Sequence, residues 1–153
     1  MKKLSNLLAA LVFVSLVIFI SCSSDSGTEV DPKDTQAALL QDSWDVNSSQ
    51  VVYNSGNPDV TWDGFSLNIT NASANGGNYS ASGVPTGFEE VWPSSGSWTF
   101  NNDNIDELLR SDGVVMDISA VTETSLTLTF DIPDTGGRTS GIAGTWSFTF
   151  TGN

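Results

Sequence analysis

The stretch "SLTLTFDI" (residues 125–132) alternates without a break. Leu126, Leu128, Phe130 and Ile132 share one parity; Ser125, Thr127, Thr129 and Asp131 share the other. Successive side chains of a β-strand point to opposite faces, so this pattern is a strand with one apolar and one wet face. A one-sided strand belongs in antiparallel sheet, because parallel strands are covered on both faces.

The same period runs outward from this stretch. "TWSFTF" (145–150) sets Trp146, Phe148 and Phe150 against Thr145, Ser147 and Thr149. "VVMDIS" (114–119), "SWTFN" (97–101) and "FSLNIT" (65–70) divide in the same way. Gly, Pro, Asn and Ser clusters at 55–59, 71–78, 93–96, 111–113 and 133–144 interrupt the runs as turns. Expected strands are 43–53, 60–70, 77–82, 87–92, 96–101, 105–110, 114–121, 125–132 and 144–151. The fold class is therefore all-β, an antiparallel meander of eight or nine strands. Closure into a barrel removes exposed edges, and a two-sheet β-sandwich is the alternative. One short helix is expected over 34–41, "DTQAALLQ", with Asp34 or Thr35 as its cap.

"GSWTF" (96–100) and "GTWSF" (144–148) echo one another. Alternation places Trp then Phe inward in both, which makes the echo two strands entering one core rather than a pair of binding platforms.

The chain opens "MKKLSNLLAALVFVSLVIFISC", a short positive start, an apolar run over 7–20 and two small residues. That order is a secretory signal, and the run falls short of the roughly 20 residues of a membrane span. The expected organisation is a signal peptide at 1–21, a polar tether at 22–33 and one domain over 34–153.

Composition narrows the chemistry. The protein has no His and one Cys, Cys22. Imidazole and thiolate metal sites, Ser-His-Asp and Cys-His catalysis, and a disulfide within the domain are all excluded. Beyond residue 21 the basic residues are Lys33, Arg110 and Arg138 against 18 acids, a formal charge of −15. Such a surface repels nucleic acid and anionic lipid. No catalytic residue, metal or cofactor is expected.

Candidate sites are few. Trp62 in "DVTWDGF" and Trp92 in "EEVWPSSG" flank loops and would suit ligand or sugar stacking at a barrel mouth, or rim packing. Arg138 lies in the Gly-rich loop before the last strand, placed to hold an anionic ligand or a structural carboxylate. Glu89 and Glu90 cannot face one cleft if they are strand neighbours. "NNDNIDE" (101–107) has oxygen ligands but not the spacing of an EF-hand loop.

Phe19-Ile20-Ser21-Cys22 resembles the bacterial lipobox. The resemblance implies that Cys22 is lipidated and becomes the mature N-terminus on the outer membrane, facing the periplasm or the cell surface. "ALLQDSW" (38–44), "VWPSSGSWTF" (91–100), "LLRSDGVVMDIS" (108–119), "SLTLTF" (125–130) and "GGRTSGIAGTWSFTF" (136–150) resemble the lipocalin-like domains of Bacteroidetes lipoproteins. That likeness implies a small barrel and supplies no catalytic residues. The expected function is a lipid-anchored, non-catalytic envelope binding or assembly module. Its unknown partner would be a small molecule, a glycan or an envelope protein. The alternative is a carbohydrate-binding module with Trp62 and Trp92 as exposed platforms.

Overall fold

The computed structural model describes residues 29–134 and 142–153. Its strands are β1 (Ser43–Asp45), β2 (Val51–Tyr53), β3 (Ser66–Ser73), β4 (Gly76–Ser82), β5 (Ser95–Asn101), β6 (Asn104–Arg110), β7 (Val115–Val121), β8 (Ser125–Ile132) and β9 (Gly144–Gly152). Strands β3 to β9 pair antiparallel in chain order, and β1 pairs with both β3 and β9. The result is a closed eight-stranded barrel, with β2 as an extra strand farther along β9. The barrel and not the sandwich is the architecture. The strand over 125–132 has the bounds that alternation gives it.

Four expected elements differ. The first strand breaks between β1 and β2. There the Asn47 side chain accepts the Ser49 N–H, and the Gln50 side chain accepts the Asn47 N–H. This reciprocal capping box winds Ser48–Gln50 into a single 3-10 turn. Residues 60–65 and 87–92 are not strands. In the second of these, Phe88, Val91 and Trp92 repeat at three and four residues, and the N–H groups of Val91 and Trp92 both donate to the Phe88 carbonyl. That is one helical turn, not a period of two. The helix α1 (Pro32–Leu40) starts inside the expected tether. Asp31 caps it by accepting the Lys33 N–H, and Pro32 stands at the first helical position, where its missing N–H costs nothing.

The barrel has two distinct ends. At one lie α1, the tight turns β3–β4, β5–β6 and β7–β8, and the C-terminus. Helix residues pin this end: Asp34 accepts the Ala74 N–H and Lys33 pairs with Asp103. Asn102 and Asp103 both have positive φ (47° and 64°), the geometry of a two-residue type I′ hairpin. At the other end lie the β4–β5 connection (83–94), the turn at 111–114 and residues 142–143, just before β9.

The inward parity of every strand fills the interior. Trp44, Leu67, Leu126, Leu128, Trp146 and Phe148 are all buried. The echoed pairs Trp98–Phe100 and Trp146–Phe148 both point inward, as alternation requires. Each such large side chain stabilises the fold by about 1.5–3 kcal/mol on burial.

Candidate functional site

Cys22 and Arg138 lie outside the described residues. Trp62 and Trp92 lie within them, and neither presents a face to solvent: they are 0% and 1% exposed. The expectation of exposed Trp platforms is thereby corrected. Trp62 packs edge-on against Phe65, Phe148 and Trp146, with the Phe148 centroid at 4.9 Å. Trp92 packs edge-on against Phe130 and Phe148, at 5.4 and 5.8 Å. Both come from segments outside the strands, and both are driven inside because the barrel end would otherwise hold a void. Their indole N–H groups have no hydrogen-bond partner, and neither does that of Trp98. The perpendicular ring contacts, Trp98 on Phe100 included, suit N–H···π donation.

The 83–94 connection is held by a residue that alternation alone did not single out. Arg110 is 1% exposed, the sole buried charged group among the described residues. Its Nη1 donates to the Val91 carbonyl at 2.7 Å, and its Nε and Nη2 both donate to the Asp112 carboxylate. The guanidinium also stands over the rings of Trp92 and Phe130, at 5.3 and 5.5 Å from their centroids. Arg110 shares its parity with Leu108, and Asp112 follows two residues on in "RSDG". Those two signals mark an inward arginine with its counter-charge at the turn. Burial pushes the Asp112 carboxyl up, but the Arg110 hydrogen bonds and charge, with the backbone N–H groups of Val114 and of Asp112 itself, outweigh it and leave the group below its usual value.

A groove of about 730 Å³ opens beside this knot, on the outside of the barrel. Glu89 and Pro93 of the connection form one wall, and Asp112 the end. Val115, Asp117 and Asp131, on the outer faces of β7 and β8, form the other wall. Glu90 also lines it, so the adjacent acids share one cleft because they sit on a turn and not on a strand. The carboxylates are dispersed: among the described residues no three acids gather closely enough to hold a metal ion. In 101–107, Asp103 takes Lys33 and Glu107 accepts from Asn101, which makes that segment a hairpin with internal partners.

No family model matches this chain, and no curated protein does.

Proposed function

We propose that this protein is a lipid-anchored, non-catalytic binding or assembly module of the cell envelope, making its contacts from the outside of its barrel. The observation that carries this reading is the packed interior. Trp62, Phe65, Trp92 and Phe148 meet one another across the space where a barrel of this size could hold a small ligand. Recognition then falls to the outer surface. The absence of His, and of any Cys after residue 22, supports a non-catalytic role.

The anchor rests on the resemblance of residues 19–22 to a lipobox. From Cys22 to Pro32 the chain spans at most about 35 Å when extended. That tether joins the barrel at the end that carries helix α1, and the groove beside residues 89–93 lies toward the opposite end. Metabolic labelling with an alkyne fatty acid tests the anchor: the natural chain takes the label and a Cys22→Ala chain does not. Equal labelling of both removes the anchor from this reading. A photo-crosslinking residue at Val115, in full-length protein in whole cells, is expected to give a discrete adduct. No adduct there, or at other exposed positions, overturns external recognition.

A further inference from the structure

We propose that the groove between the 83–94 connection and the outer faces of β7 and β8 docks an extended cationic segment of another protein, with Lys or Arg side chains alternating with apolar ones. The inference rests on the reading that contacts are made from outside the barrel, and it names the chemistry of the partner.

The groove has the two features such a segment needs. Its apolar surface is supplied by Pro93 and by Val115, which is 40% exposed and, among the described residues, one of the large apolar side chains left in water. Around that surface stand Glu89, Asp117 and Asp131, while Asp112 at its end is spent on Arg110, and no described lining residue is basic. Arg110 does not offset them, because its charge is buried and taken up by Asp112.

The spread of the acids selects among cations. They do not converge on one point, so a metal ion has no cage. A chain with several separated positive charges can meet them in turn. A strand-like segment also presents alternate side chains to one side, so its apolar residues can reach Val115 while its charges reach the rim. Anionic partners are repelled by the net negative charge, and Trp62 and Trp92, being buried, offer a neutral sugar no stacking face.

A second observation points the same way. Asp117 stands directly opposite Glu107 in the β6–β7 register. Like charges in that relation destabilise a sheet. Glu107 accepts a hydrogen bond from Asn101, whereas Asp117 has no partner among the described residues. A bound cation would relieve a repulsion that the free protein carries.

The experiment uses full-length, lipid-bearing protein in neutral phosphatidylcholine vesicles. The probes are two fluorescein-labelled, end-capped pentapeptides, Lys-Val-Lys-Val-Lys and Lys-Ser-Lys-Ser-Lys, followed by anisotropy at low and high salt. The valine peptide is expected to bind more tightly and to weaken with salt. The double variant Asp117→Asn, Asp131→Asn is expected to weaken it about fivefold. The control variant Asp59→Asn, Asp106→Asn, away from the groove, should bind as the natural protein does. Asp117→Asn also removes the repulsion with Glu107, so its thermal midpoint should hold or rise, which separates lost binding from lost folding. Equal weakening in both double variants, or equal binding of the two peptides, would overturn the proposal in favour of diffuse charge attraction. If neither peptide binds while Val115 still crosslinks in cells, the cationic occupant fails and external recognition stands.

Discussion

The guanidinium of Arg110 lies over the indole of Trp92, 5.3 Å from the ring centroid, and joins the end of β6 to a connection that belongs to no strand. The same group donates to the Val91 carbonyl and to Asp112. One side chain therefore ties together the connection, the turn at 111–114 and the aromatic core, and these form the end of the barrel that carries the groove.

The two partners of this knot should respond unequally to substitution. Arg110→Met removes hydrogen bonds and a cation–π contact, but it keeps apolar volume and leaves Asp112 near water; the expected loss is about 1–3 kcal/mol. Asp112→Ala leaves a buried guanidinium without its counter-charge, and the expected loss is larger, about 3–5 kcal/mol. Urea unfolding of both variants checks the order. A costlier arginine variant would mean that packing of the guanidinium, and not its neutralisation, holds the connection.

Acid should act on the same pair. The folded Asp112 carboxyl sits below its unfolded value. Its contribution is fully present above the unfolded pKa of about 3.9 and is lost as pH falls through the folded value. The stability difference between the natural protein and Asp112→Asn should be constant from neutral pH to about pH 5, then shrink below about pH 4. Urea midpoints across that range are the measurement, and a difference that grows in acid would contradict the assignment.

Trp92 is a core residue supplied by a loop. Trp92→Ala should destabilise the protein by about 3–5 kcal/mol. It should also raise hydrogen exchange in 83–94 above that of β8 and β9. Uniform exchange with little change in stability would place the indole outside the core.

Glycine matters here where backbone leaves no room. A Cβ at Gly76, φ +106°, would stand 2.1 Å from the Trp98 carbonyl oxygen, in the β4–β5 pairing. At Gly113, φ +90°, a Cβ meets nothing within 4 Å. Gly113→Ala should lower stability by about 1–2 kcal/mol, from the left-handed backbone alone. Gly76→Ala adds a clash with main chain and should lower it further. Thermal melting of the two variants compares them directly.

The strands that alternate were legible as a sequence. For 125–132 parity gave bounds and inward face together, because a period of two admits one arrangement of apolar residues against a core. The inward Trp98 and Trp146 followed from the same rule, and short connections in chain order made a meander the economical topology. Phe88, Val91 and Trp92 are not legible by that rule, because these apolar residues repeat at three and four and not at two. The break at Ser48–Gln50 escaped because a capping box needs only two side chains and leaves no trace in hydrophobic periodicity.

By itself, then, the sequence determined an acidic all-β domain with alternating strands and without His- or Cys-based chemistry, since period and composition are local properties. Tertiary structure alone decided that Trp62 and Trp92 are buried, that Arg110 is a buried cation tied to Asp112, and that acids distant in the chain border one groove. For the two tryptophans the physical reason is that a side chain on an irregular segment has no parity to fix its direction, and its place is set by the space that the closed barrel presents to it. For Arg110 and the groove acids on β7 and β8, parity fixes the face of the strand, but which groups meet there is set by the pairing and closure of the barrel.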